Sequence, residues 1–336
     1  MGAAPNLNIP VQGNANILNA QVDLRYKAGF DSALPWTKQI ANEIGYSKGK
    51  TIILPWTESA KRYEPFTGEF VTHPWIVDAI QTQSVPWKLN ISADRDDVVE
   101  NVLMSINDEA MSMGVQSALL PCDFIALALR RTGSSSSTPF AWYDGLPVFS
   151  ETHPIDPRGV IPGTWKNLFK GLPLTHQNVI DVYQQMCVGI KLPNGRQVNV
   201  RPNKIGASGK YAVVLQEICK NANVIKAISS ALVPGGAFGS IENILRGQLE
   251  PVIMDELSQD IAGSSGEEDV WYMWDDRRTK PVTVYWVKRP YVTPLISDTD
   301  AYLRSVNAYI WAGEAHGVAV VTAPWFIGRI EPGEGA

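Results

Sequence analysis

The clearest periodic signal in the chain begins after Ser92-Ala-Asp-Arg-Asp-Asp-Val-Val-Glu100. Val98, Val99, Val102, Leu103, Ile106, Ala110 and Met113 recur at helical spacing, and the apolar stripe runs on to Leu119 and Leu120. Ser92 or Asp94 is suited to cap this helix, and the acidic first turn matches the helix dipole. Pro121 is expected to interrupt it and to open a second helix, Cys122 to Arg131, that ends before Thr132-Gly133 and four serines.

Upstream the pattern is different. Residues 1 to 30 are rich in Asn, Gln and Ala with isolated Leu, Ile and Val and hold neither period, which predicts an arm or a frayed end without a core of its own. Between Trp36 and Asn90, short apolar pieces (Thr51 to Trp56, Phe70 to Trp75, Trp87 to Ile91) alternate with Pro and Gly breaks, which reads as an extended ribbon. Its tryptophans, Trp36, Trp56, Trp75 and Trp87, lie in a stretch too broken to enclose them locally, so they are predicted to pack on something else.

Downstream, a Pro- and Gly-rich passage from Asp144 to Gly159 predicts a strand and ordered turns. Thr175 to Ile190 reads as an amphipathic helix, Gln197 to Ile205 as a strand and Lys210 to Lys220 as a helix. Strands are then predicted at Pro251 to Met254, Val270 to Trp274, Pro281 to Val287, Tyr302 to Trp311 and Val318 to Thr322. With no parallel βαβ series, the class is α+β.

Composition sharpens this picture. Of 336 residues, 45% are hydrophobic and only 19% charged, with 11 Trp, 11 Tyr and 9 Phe, enough for a large core plus apolar surface for partners. A net charge of -5 argues against a primary nucleic-acid binder, since phosphate neutralisation needs a basic face. Cys122, Cys187 and Cys219 are an odd, widely spaced set, which points to burial in a reducing compartment. The first nine residues lack a leader pattern, and no uninterrupted apolar run approaches the ~18 residues of a membrane span, so neither export nor a membrane is expected.

Chemistry is sparse. His73, His153, His176 and His316 lack ligand spacing, so no metal is expected. Gly206-Ala-Ser-Gly-Lys210 misses the phosphate-loop spacing, and Gly235-Gly-Ala-Phe-Gly239 lacks the dinucleotide context, so no cofactor is expected. Asp94 to Asp97 and Glu267-Glu-Asp269 read as a helix cap and a solvated loop. No serine stands in a nucleophile elbow, so no catalytic residue is assigned.

Several motifs occur together and in order: Leu34-Pro-Trp-Thr37, Ser92 to Asp97, Tyr143-Asp-Gly-Leu-Pro-Val-Phe149, Thr152-His-Pro-Ile-Asp-Pro157, Gly163-Thr-Trp-Lys-Asn-Leu168 and Asn194 to Pro202, with Thr279-Lys-Pro-Val282 and Lys288-Arg-Pro-Tyr291 later. In these the chain resembles the Mu-like phage major head subunit, of the tailed-phage Hong Kong 97 capsid fold, from about residue 34 onward. The resemblance implies an N-terminal arm (1–35), an extended loop (36–92), a peripheral domain (93–162 and 286–311) with a spine helix at 93–131, and an axial domain (163–285 and 312–336). It further implies a non-enzymatic shell subunit forming hexamers and pentamers, assembled in the bacterial host cytoplasm and ending in the virion. Its partners would be a portal, a scaffolding protein, a decoration protein and, non-specifically, packaged DNA. Two alternatives stand beside this one: a cellular compartment of the same fold, and an enzyme using Asp94, Asp156 or His153.

Overall fold

The computed structural model describes residues 11–46, 49, 51–57, 77–94, 103–131, 142, 144–156, 161–192, 197–228, 237–295 and 308–333. The helices are α1 (Val11–Ser32), α2 (Leu103–Arg131), α3 (His176–Gly189) and α4 (Ala212–Lys220). The first half carries strands β1 (Ala41–Gly45), β2 (Thr51–Thr57), β3 (Val77–Gln83), β4 (Val85–Asp94), β5 (His153–Pro154), β6 (Thr164–Trp165) and β7 (Leu168–Lys170). The second half carries β8 (Lys204–Ala207), β9 (Asn223–Ile228), β10 (Ala237–Glu242), β11 (Glu250–Ile253), β12 (Trp271–Trp274), β13 (Val282–Pro294), β14 (Ala308–Val321) and β15 (Ile327–Glu331).

Two sheets carry the architecture. One has the order β1-β13-β14-β4, with β1 parallel to β13 and the other pairs antiparallel. The other has the order β11-β8-β12-β15-β7, in which β8 with β11 and β7 with β15 are parallel. All four residues of β12, Trp271, Tyr272, Met273 and Trp274, are fully buried, the signature of a strand covered on both faces. Apolar residues of α3 (Val179, Val182, Met186) and α4 (Leu215, Ile218, Cys219) complete that core. Thr175 caps α3 by accepting from the Asn178 N–H, as its position predicts.

Helix α2 ties the sheets together. From Cys122 to Leu129 nearly every apolar side chain is buried, so this half of the helix is enclosed all round. Phe124 lies between Trp87 and Trp286, with ring centroids 5.4 and 5.3 Å away. The helix crosses β14 closely: a Cβ at Gly317 would stand 2.8 Å from the Phe124 ring and 2.9 Å from that of Trp286. Gly317 is therefore a packing requirement, and a strand predicted in two pieces, Tyr302 to Trp311 and Val318 to Thr322, runs unbroken through it as β14.

Two further expectations are corrected. Residues 11–32, read as an aperiodic arm, form helix α1, because tertiary contact can replace amphipathic pattern as the source of helix stability. Leu18 and Val22 pack with Ile106, Ala110 and Trp311, and further along a Cβ on Gly114 would meet the Tyr26 carbonyl oxygen at 2.1 Å. Ser92 and Asp94 belong to β4, opposite Ile310 and Ala308; residues 95–102, where the helix they would cap was expected to start, lie outside the described residues, and α2 is described from Leu103. Pro121 lies inside α2 without ending it. Burial of the following turns outweighs the lost N–H bond, which costs ~3 kcal/mol in an unsupported helix.

Candidate assembly surface

The antiparallel ribbon β2/β3 is based on the four-stranded sheet: Ile52 and Leu54 are buried against Val318 and Val320, beside Tyr46 and Tyr285. Ile53, on the opposite side of the same strand, is half exposed. Trp56 belongs to β2, and Trp75 lies outside the described residues. Trp36 opens a short 3-10 turn and donates its Nε1–H to Glu256 Oε2 at 2.7 Å, so its polar handle is used within the chain. Trp36 and Trp87 are both half-buried against the main core, leaving part of each ring for a neighbour.

The most exposed large apolar side chains are others: Leu34 at 93%, Val213 at 70%, Leu24 at 68% and Val188 at 66%. Sequence reading missed them because a lone aliphatic residue carries no signal until the fold shows which way it points.

The motifs around residues 142–168 converge on one buried node. Asp144 accepts the Leu146 N–H with one carboxylate oxygen, closing a turn, and holds His153 Nδ1 with the other at 2.6 Å. His153 Nε2 faces the Val148 carbonyl at 3.1 Å, and the ring stacks on Trp165 at 4.4 Å. Trp165 in turn meets Trp325, which also packs edge-on against Trp142. Asn167 fastens the node by donating to the carbonyls of Val148 and Pro324 and accepting the Ser150 N–H. Of the three residues of the enzyme alternative, His153 and Asp156 are buried, and Asp94 is exposed at the end of β4.

The remaining described histidines also have partners: His176 bonds Asn243, and His316 lies 3.1 Å from Ser84 Oγ. His73 lies outside the described residues. Among the described residues no group of three or more His, Cys, Asp or Glu converges as a metal site. In the Gly206 to Lys210 segment, Ser208 donates to the Glu268 carbonyl, and Lys210 pairs with Asp269 at 2.6 Å and with Glu268 at 3.3 Å. The bond from Lys210, with one from Tyr211, holds the Asp269 carboxyl below its ordinary pKa.

A second charged junction joins α2 to the five-stranded sheet. Arg130 donates to the carbonyls of Glu256, Leu257, Gln259 and Ser264, while buried Arg329 donates to the Leu129 carbonyl and to Tyr272. Arg329 thereby serves one of the carbonyls left free at the end of α2. Beside them Asp123 has its pKa pushed up to about 6, first by burial and then by the Glu256 carboxylate, with Arg130 opposing. Burial also pushes up the thiols, Cys219 to about 11 and Cys122 further, which leaves both inert. By length and composition Ile106–Arg130 would suffice to cross a membrane, but that apolar surface is mostly spent inside the protein.

No family model and no curated protein matches this sequence. Among solved structures, the chain is similar to one from the procapsid of bacteriophage JBD30, with 12% identity, coverage of 95% of this chain and 75% of the other, and a TM-score of 0.53. It is also similar to one from the capsid of the cyanophage P-SCSP1u, with 11% identity, coverage of 90% and 89%, and a TM-score of 0.53. At such identities the likeness establishes the fold, and nearly the whole chain takes part in it: this is the α+β, Hong Kong 97-type fold of phage capsid subunits.

Proposed function

We propose that this chain is a major capsid protein of the Mu-like group, which self-assembles as hexamers and pentamers into the icosahedral head shell of a tailed phage around double-stranded DNA. The observation that carries the reading is that a shell-subunit fold spans at least nine-tenths of the chain. A ribbon and long strands with exposed apolar residues also suit a subunit completed by neighbours. The work is structural, with no catalytic step.

In this reading 1–35 is an arm, now with a helix in it, 36–92 the extended loop, 93–162 with 286–311 the peripheral domain, and 163–285 with 312–336 the axial domain. Strands β13 and β14 run through the boundaries at 285/286 and 311/312, so the two domains share them as common struts. Trp56 and Trp75 are the proposed anchors between subunits, with the open edges of Trp36 and Trp87 contributing. A portal, a scaffolding protein and a decoration protein are the proposed partners, packaged DNA is touched only non-specifically, and assembly takes place in the host cytoplasm before the protein resides in the virion.

The test is negative-stain electron microscopy with gel filtration of the purified chain, expressed with and without its neighbouring genes. Shells, tubes or capsomer rings are the expected result. Discrete monomers or dimers under every condition would overturn the reading.

A further inference from the structure

The five-stranded sheet carries opposite charge at its two ends. The register puts the starts of β8 and β11 and the end of β12 together: Lys204 lies beside Glu250 on one side and Trp274 on the other. At this end two adjacent clefts share Arg277 and are lined by Arg201, Arg278, Lys220 and Arg246. Two of the cations are held in place: Arg277 Nε donates to Asp275 at 3.0 Å and Arg278 Nη1 to the Val198 carbonyl at 2.9 Å, while the Arg201 backbone N–H donates to Asp275 at 3.0 Å. Against these five bases the clefts set two acids, Glu250 and Asp275, a local excess of three positive charges (5 − 2) in a chain whose net charge is -5.

The opposite end of the same strands is acidic. Met254 follows β11 and donates its N–H to Ala207, the last residue of β8, which pairs with Trp271 at the start of β12. The loops gathered there expose Asp255, Asp260 and Glu268, with half-buried Asp269, around an exposed Lys210, which is already paired with two of them. Four-residue strands separate the ends by about 10 Å, three steps of ~3.3 Å. That exceeds the ~8 Å over which salt screens charge at physiological strength, so the ends do not neutralise each other and each field acts outward.

We infer that the basic end of this sheet in one copy docks on the acidic end of the same sheet in the next, a head-to-tail contact that closes rings of the chain. Such a contact is heterologous, joining two different patches of one subunit, which is the geometry that builds cyclic assemblies. The inference rests on the shell-subunit reading and names the surface through which neighbours would meet. A second copy fits the clefts better than a nucleic-acid backbone does. Carboxylates interleave the arginines, since Asp275, Asp276 and Glu250 all lie at this end, and an unbroken track of phosphates would run against them. A folded acidic patch of matching size presents discrete charges instead.

The test is charge exchange in the full-length chain. R246E with K220E reverses the basic end, D255K with E268K reverses the acidic end, and a four-site variant carries both changes. Assembly is read by light scattering and electron microscopy, folding by the thermal melt, and nucleic-acid retention by absorbance of the purified particles. Each single-ended variant is expected to lose at least about tenfold in assembled fraction with an unchanged melt, and the four-site variant to regain most of it, because every contact again joins opposite charges. Single-ended variants that assemble as well as the parent would overturn the inference, as would a well-folded four-site variant that stays unassembled. A basic-end variant that assembles normally but loses nucleic acid would also overturn it and assign the clefts to DNA. If the parent chain itself forms no assembly, the shell-subunit reading fails first.

Discussion

The two sheets solve the burial problem in opposite ways. In the five-stranded sheet, strands of three to five residues are short enough for α3, α4 and surrounding loops to cover, and β12 exposes nothing. In the four-stranded sheet, β13 and β14 reach 13 and 14 residues, one helix layer covers part of their length, and Val85, Leu89, Tyr291 and Leu295 remain exposed. A short-stranded sheet can be finished inside one chain, whereas a long-stranded one leaves apolar surface uncovered, the surface on which the proposed assembly draws.

The largest expected effect breaks the self-sufficient side. Trp274→Ala removes a fully buried indole whose Nε1–H is bonded to the Gln39 carbonyl at 3.0 Å, and should cost about 3–5 kcal/mol in chemical denaturation of the unassembled chain. Leu89→Ala on the other sheet should stay within about 0.5 kcal/mol in the same assay, yet weaken assembly. Equal losses from both would abolish the distinction between the sheets.

Next comes the node between them. His153→Ala leaves the buried Asp144 carboxylate without its 2.6 Å partner and takes the stacked ring off Trp165, and should cost roughly 2–4 kcal/mol by denaturant midpoint. Loss of a catalytic activity with stability intact would instead revive an enzymatic role for this residue.

Gly114→Ala probes the layer outside the long sheet. Its methyl would stand 2.1 Å from the Tyr26 carbonyl oxygen, so α1 must lift off α2, at about 1–3 kcal/mol. Hydrogen exchange should quicken in residues 18–32 while β12 keeps its protection; uniform loss across the chain would mean that α1 and the buried sheet form one cooperative unit.

These contrasts also explain what could be read in advance. Val270 to Trp274 and Pro251 to Met254 stand within a residue of β12 and β11, because a continuous buried run keeps its meaning without tertiary knowledge. Helix α1 was invisible because its closest contacts run through Gly29 and Gly114, whose role is the absence of a side chain. The opposed charges of the buried sheet were equally hidden. Arg201, Arg246 and Arg277 lie far apart in the sequence, and only the strand order brings them to one end. The ribbon tryptophans are read as packing outside their own stretch, and for Trp36 and Trp87 part of what they pack on is the core of their own chain.

The smallest effect tests the junction that couples the sheets through α2. Asp123 has its carboxyl raised from an ordinary 3.8 to about 6, by burial first and by Glu256 second. As pH climbs through that window the unfolded chain releases the proton before the folded one does, so stability falls between about 4 and 6 and is level above. A displacement of that size corresponds to about 3 kcal/mol at full burial, and solvent around this only partly buried side chain reduces it to roughly 1–2 kcal/mol. Asp123→Asn has no proton to lose, so it should be the more stable protein at pH 7 by that amount, with the advantage gone near pH 4. Denaturant midpoints at the two pH values decide it. A gain independent of pH would place its cause in packing, and a loss at pH 7 would mean that the attraction of Arg130 for the carboxylate outweighs burial and Glu256 together.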